Sequence, residues 1–399
     1  MTRSRARLRW HDTALNLAAH PIAWPLARGV RRLGGVVRVP GFGLVVNDAE
    51  FAHDVLVRDD MFTKNGPRSL STVMTEILGP SALGNMDGDP HRALRSRLAD
   101  VVSPTRVAEI LRPCEPMIAG LRDDLGAGRT VDLVAWMRLL SGRLTFDMLG
   151  VASTARSDDE CLDLVALGES ITAGFDFRTP SVGHLATARA AASRFAEQIR
   201  IGYESAETPA TSFVRRLRDA QLTFDEARGV ISLLFIAGTL TTASALPRIV
   251  ALLADGGHFA RLREQRSEIG NAISEGLRYI TPVPATMRIA RRDAEVCGRR
   301  VSAGERVIIL TTNLGRDPKL FPTPDRFDPA RRYEPKSRYL WYGAGPHFCL
   351  GFPVAQRQLQ LVLDALLDVP GSLRIVRRRA SRGVVVPSYA RLDVRVDRV

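Results

Sequence analysis

Apolar residues recur at the spacing of one helix face through most of the chain from about Ala49 to Leu277. The pattern predicts helices near residues 91–102, 104–125, 129–150, 157–175, 184–205 and 223–256, separated by glycine, proline and aspartate breaks. Residues 35–46 set short apolar runs on either side of Pro40-Gly41, in the manner of a hairpin, and strand-like pieces return at 287–312 and 372–398. The expectation is a mainly α protein with a minor β part. No linker, composition break or internal repeat divides the chain, so residues 1–399 are read as a single domain. No stretch approaches roughly 18 consecutive apolar residues, so no transmembrane segment is expected.

Within this pattern a few positions break the rules of their element. Thr223-Phe224-Asp225-Glu226 has the spacing of a capping box and opens the most apolar helix. Inside that helix, Ala237-Gly238-Thr239-Leu240-Thr241-Thr242 places a glycine and three threonines where good helix formers belong. The hydroxyls can bond back to the preceding turn and widen the helix locally; small residues that admit a neighbouring helix are the plainer explanation. Pro247, further along, is expected to bend it. Glu275 and Arg278, three apart before Thr281-Pro282-Val283-Pro284, read as an ordinary surface pair unless Arg326, in Pro324-Asp325-Arg326-Phe327, turns them into a buried triad. Finally, Tyr342-Gly343-Ala344-Gly345-Pro346-His347-Phe348-Cys349-Leu350-Gly351 sets one cysteine among three glycines, just before a helical pattern over 352–366. Glycines let backbone approach something flat and large, and a helix N-terminus favours the thiolate, a ligand suited to iron.

Composition narrows the class. Apolar residues make up 45% of the chain, enough to enclose a cofactor, whereas 6% aromatic residues offer no stacking surface for nucleic acid. There are 56 basic and 43 acidic residues, a formal net charge of +13, and nearly all the basic ones are arginine. That field attracts acidic partners. Arg374, Arg377, Arg378, Arg379 and Arg382 would suit nucleic acid, yet they interrupt short strands and accompany no binding motif, so no nucleic acid is expected. Cys114, Cys161, Cys297 and Cys349 lie far apart and form no C-x-x-C pair, which argues against zinc and redox dithiols. The basic N-terminus (Arg3, Arg5, Arg7, Arg9) lacks a following apolar region and cleavage site. A cytoplasmic, soluble protein is expected, with peripheral membrane contact of that N-terminus as the alternative.

Taken in order, A-G-x-x-T-T in a long helix, E-x-x-R, an arginine after a proline-rich turn, P-x-R-F and a G-x-G-x-H-x-C-x-G loop resemble the cytochrome P450 family of haem-thiolate monooxygenases, soluble bacterial type. The likeness spans most of the chain: Gly34–Val46 resembles the family's N-terminal strand pair, and His91 with Arg95 its H-x-x-x-R helix. It implies the P450 fold, with haem b (iron protoporphyrin IX) between a long central helix and the cysteine loop. Carried over residue by residue, Cys349 would be the metal ligand. His91, Arg95, Arg288 and His347 would partner the haem propionates, and Gly343, Gly345 and Gly351 would let the loop lie against the porphyrin, with Ala237 facing it from the central helix. Thr241 would be the catalytic threonine on the oxygen side, and Glu275, Arg278 and Arg326 would form a structural network.

The resemblance implies oxidation of a small organic, secondary-metabolite-type substrate (hydroxylation, epoxidation or oxidative coupling) with O2 and electrons from an acidic ferredoxin and its reductase. Substrate would be lined by Ile236, Ala237, Thr241, Val283, Pro284, Ala285 and the 69–86 and 167–182 segments. Two residues depart from the pattern. Leu240 stands where an acid usually relays protons, a task a leucine cannot do, and Tyr342 replaces a phenylalanine beside the cysteine. Leu240 motivates two alternatives on the same fold, nitric-oxide reduction and peroxide-driven oxidation. A haem protein that binds a ligand or partner without turnover is the third reading.

Overall fold

The computed structural model describes residues 2–66, 69–152, 155–174, 182–334 and 339–397. Its axis is the 32-residue helix Phe224–Asp255, about 48 Å long at 1.5 Å per residue. The helix starts where the capping box predicts: Glu226 N donates to Thr223 Oγ1 at 3.3 Å, and Thr223 N donates to Glu226 Oε2 at 2.9 Å. Of the described helices it alone is long and apolar enough to cross a membrane, and most of its apolar stretch is buried inside the protein. Its all-round apolar character is therefore that of a core helix. It runs unbroken through Pro247, which is itself buried.

Helices Leu133–Met148, Asp158–Ala173, Val182–Glu204, Ile269–Ile280 and Phe352–Asp368 pack around it. A five-stranded sheet lies to one side, in the order Val36–Val39, Gly43–Val46, Arg306–Ile309, Thr286–Ala290, Phe62–Thr63. Only the pairing of Gly43–Val46 with Arg306–Ile309 is parallel. The C-terminal strands Ser372–Ala380 and Tyr389–Asp397 form a second sheet with Val131–Asp132, and Ala294–Val296 pairs with Arg299–Val301.

Several boundaries differ from the sequence expectation. The segment 104–125 is three pieces, Pro104–Leu111, a 3-10 turn at Arg112–Cys114 and Glu115–Gly126, because Pro113 and Pro116 cannot donate to a continuous ladder. Two N-terminal helices, Thr2–Ala19 and Ala23–Leu33, were not anticipated. The second is inverted relative to an ordinary amphipathic helix: Arg31 Nη2 donates to Arg316 O at 2.5 Å, whereas Leu26 and Leu33 point to solvent, 63% and 73% exposed. Asp12 ties the first helix down, accepting from Arg248 Nη2 at 3.0 Å and lying 3.5 Å from Arg316 Nη2.

The E-x-x-R pair is no surface pair, since both side chains are 0% exposed. Arg278 Nε and Nη2 clamp the Glu275 carboxylate at 2.7 and 2.8 Å. The expected third member is corrected: Arg331 Nε, not Arg326, reaches Glu275, at 3.1 Å. Arg326 turns its side chain outward, 47% exposed and 3.5 Å from Asp328, and contributes its carbonyl, which accepts from Arg278 Nη2 at 3.1 Å and Arg331 Nη2 at 2.9 Å. Tyr333 Oη (2.6 Å) and Asp328 N (2.7 Å) complete the carboxylate's shell.

Candidate active site

Between the central helix and the cysteine loop lies a cavity of about 460 Å³. It brings together residues far apart in the chain, lined by Thr241 and Ala237 from the helix, His91 and Arg95 from Gly88–Arg97, Arg288 from the sheet, and Gly343, His347 and Cys349 from the loop. The expected substrate lining is met in part. Ala237, Thr241 and Val283 face the cavity, whereas Ile236 packs into a core cluster and Pro284 and Ala285 lie off the lining. From 69–86 only Leu83 and Gly84 reach it; from the described part of 167–182 nothing does, and 175–181 lie outside the described residues.

The loop's shape explains its glycines individually. Gly343 and Gly345 have φ of +85° and +64°, a region side chains avoid. A Cβ at Gly345 would stand 2.7 Å from Val57 Cα and 2.8 Å from Leu56 O, so this glycine is required by packing on the helix Ala49–Val57. That corrects the expectation that all three glycines serve the cavity: Gly343 and Gly351 line it and Gly345 does not. Cys349 N donates to Tyr342 O at 3.1 Å, which folds the loop back on itself. Burial pushes the Cys349 thiol up, opposed by the backbone N–H groups of Gly351 and Phe352 at the start of the following helix and by Arg95. The sulfur thus has anion-stabilising donors in place.

Lys64, Arg95, Arg288 and two histidines stand on a wall that is otherwise mostly apolar. Arg95 Nη2 donates to Phe348 O at 2.6 Å, linking its helix to the loop. The His91 and His347 rings lie 4.2 Å apart, and His347 Nε2 is 3.2 Å from Asp87 Oδ1. Burial, then the charges of His347, Arg95 and Lys64, drive His91 down to about 4. Burial alone would raise Asp87, but hydrogen bonds from His347, Thr63 and Lys64 N outweigh it and hold the carboxyl at about 2. Burial lowers Arg288 to about 10.

Sequence reasoning missed Asp87 and Lys64. Asp87 precedes a helix and reads as an N-cap, but its side chain makes no cap bond and reaches His347 instead. Among the described residues, no Asp or Glu lines the cavity. A site with several enclosed cations, no lining carboxylate, a sulfur facing amide donors, and open space above Gly238 and Gly351 fits a large flat ligand that carries its own negative charge and a thiolate-binding metal.

On the central helix, Thr241 Oγ1 donates to Ala237 O at 2.6 Å and Thr242 Oγ1 to Gly238 O at 2.7 Å, the back-bonding expected of threonines inside a helix. Leu240 packs against the core cluster that contains Phe235 and Ile236.

Known proteins resemble this chain in sequence and in fold. A family model described as cytochrome P450 matches residues 190–368. Nocardicin C N-oxygenase of Nocardia uniformis subsp. tsuyamanensis is 32% identical over 316 residues, covering 78% of this chain and 77% of that protein. A biotin biosynthesis cytochrome P450 of Bacillus subtilis is 36% identical over 156 residues; that match covers 39% of each chain, about two fifths of the relative's length. Among solved structures, P450BioI in complex with hexadec-9Z-enoic acid ligated acyl carrier protein superposes with a TM-score of 0.81 at 23% identity, over 96% of this chain and 100% of that one. HmtT, involved in himastatin biosynthesis, gives 0.78 at 25% identity, over 93% and 96%.

Proposed function

The chain belongs to the cytochrome P450 family, and on that premise we propose that it is a cytoplasmic, single-domain haem-thiolate monooxygenase. It oxidises a small organic, secondary-metabolite-type substrate with O2, taking electrons from an acidic ferredoxin and its reductase. The observation that carries this reading is the single cavity in which Cys349 and the threonine turn of the central helix face one space. Two relatives support the substrate class by their names: nocardicin C N-oxygenase, and biflaviolin synthase of Streptomyces coelicolor, 38% identical over 152 residues.

Haem b, when bound, would supply one-electron redox chemistry and activation of dioxygen at its iron. Cys349 would hold that iron as a thiolate, favoured by the amides of Gly351 and Phe352 and by Arg95 against the burial that pushes the thiol up. His91, Arg95, Arg288 and His347 would meet the two propionates, and Ala237 and Gly343 would lie against the macrocycle. Arg95 also fixes the loop through Phe348 O, so it positions the sulfur as well as carrying charge.

Thr241 is the residue we assign to proton handling. Its hydroxyl is held by Ala237 O and must rotate away to pass a proton to dioxygen. With Leu240 in place of an acid and no carboxylate on the cavity wall among the described residues, protons reach the site through the hydroxyls of Thr241 and Thr242 and through water. The same observation favours the second reading, nitric-oxide reduction or peroxide-driven oxidation, which needs less proton delivery. Turnover that requires O2, ferredoxin, its reductase and NADH supports the monooxygenase. Product formed only with peroxide or nitric oxide supports the alternative. Loaded haem without product under any of these conditions marks a non-catalytic haem protein. Leu240→Asp is expected to raise the share of electrons recovered in product; unchanged coupling and rate count against the idea that the missing acid limits proton delivery.

A further inference from the structure

Lys64 has no part in the reading above, and no sequence motif points to it. It follows the strand Phe62–Thr63, whose register with Thr286–Ala290 pairs Thr63 with Ile289 and so carries Lys64 level with Arg288. It is half-buried and lines the cavity. Nζ donates to Gly84 O at 2.9 Å and makes no second hydrogen bond among the described residues. An ammonium carries three N–H donors, so two point at no protein acceptor. Arg288 is bound as incompletely. Nη1 donates to Thr286 Oγ1 at 3.3 Å and to Met287 O at 2.9 Å, whereas Nε and Nη2 have no acceptor among the described residues.

The nearby carboxylate does not answer this need. Asp87 already accepts from the Thr63 hydroxyl, from Lys64 N at 3.3 Å and from Asn65 Nδ2 at 3.1 Å, and it pairs with His347. A buried and a half-buried cation side by side, with unused donors and no facing anion among the described residues, carry a desolvation cost that the protein alone leaves uncompensated. Burial and the neighbouring charge of Arg288 push the Lys64 ammonium down to about 7. Residue choice points the same way. The chain has three lysines among its 56 basic residues, and a compact ammonium with rotatable donors binds oxygens that approach from directions a planar guanidinium does not serve.

We propose that Lys64 and Arg288 form a two-cation clamp for a carboxylate of the cavity's ligand, carried either by the tetrapyrrole or by the substrate. The clamp rests on the haem-protein reading and adds Lys64 to it. The test uses the haem-loaded protein and its Lys64→Met and Lys64→Arg variants. Haem loss is followed by transfer to excess apomyoglobin, for protein carrying haem and for protein carrying haem dimethyl ester, whose carboxylates are masked. If the tetrapyrrole supplies the carboxylate, Lys64→Met loses haem about tenfold faster or more, the factor a lost charge-assisted hydrogen bond implies. Lys64→Arg, which keeps the charge but not the ammonium's geometry, then falls between wild type and Lys64→Met, and the differences vanish with the ester.

If the substrate supplies it, haem loss is unchanged. Dodecanoate, read by the spin-state shift it induces, then binds about tenfold more weakly to Lys64→Met, while methyl dodecanoate binds both proteins alike. Equal behaviour of Lys64→Met and wild type in both arms overturns the clamp. Should Lys64→Met fail to fold, Lys64→Gln keeps the contact with Gly84 without the charge and gives the same test. Failure of the family reading looks different, because wild type itself would then take up no haem.

Discussion

Two groups of charge withdrawn from solvent are built to opposite rules. In the first, Arg278 finds an acceptor for all five of its N–H groups: both oxygens of Glu275 and the carbonyls of Gly315, Pro324 and Arg326. Glu275 is satisfied in turn by Arg331, Tyr333 and Asp328 N. In the second, Lys64 and Arg288 keep donors with no protein acceptor, and no carboxylate faces them from the cavity wall among the described residues. A network complete in itself belongs to the structure; one left incomplete is completed by something that binds.

The contrast breaks most severely at Glu275. Glu275→Gln leaves the Arg278 guanidinium without its counter-charge, and the loss expected is about 3–5 kcal/mol, read as a lowered urea midpoint or failure to accumulate folded protein. Next in size is the discrimination between two arginines: Arg331→Met should cost about 1–3 kcal/mol in the same unfolding experiment, and Arg326→Met less than about 0.5. Equal costs would mean that Arg326 belongs to the network after all.

Acid should act on the cavity side in two separate windows. The folded state depresses His91 to about 4 from 6.5, so between those values the unfolded chain binds more protons and stability falls as pH falls. Asp87, depressed to about 2 from 3.8, holds stability that is complete above the unfolded value and is lost on further acidification toward 2. His91→Phe should flatten the first slope and Asp87→Asn the second, each measured by urea unfolding at stepped pH. A small effect is expected of Tyr342→Phe. It removes only the 3.2 Å hydrogen bond from Gln356 Nε2 to Tyr342 Oη, worth about 0.5–1.5 kcal/mol, and keeps the ring packed against Phe352.

How far each group could be read from the chain follows from what carries it. The central helix announces itself by Thr223 and Glu226 at capping-box spacing and by a long apolar period. Cys349 is legible because its glycines and histidine crowd into ten residues. Arg331 was not legible: which arginine returns to Glu275 depends on the path of residues 323–331, where Arg326 gives a carbonyl and turns its side chain away. Lys64 and Asp87 were hidden for a related reason. Strand register sets one beside Arg288, tertiary packing sets the other against His347, and neither leaves a periodic trace. The second N-terminal helix was missed although Leu26, Val30 and Leu33 recur at helical spacing; that period marks a helix but not its buried face, and here Leu26 and Leu33 face solvent while Arg31 reaches Arg316 O.

The central claim is that Cys349 is the thiolate ligand of a haem held in this cavity. A carbon-monoxide difference spectrum of the reduced protein tests it most directly, with Cys349→Ser alongside. The account predicts a Soret band far to the red of that of a histidine-ligated haem in wild type, and its loss in Cys349→Ser. A wild-type band at the position of a histidine-ligated haem, or a red-shifted band that survives Cys349→Ser, would contradict it.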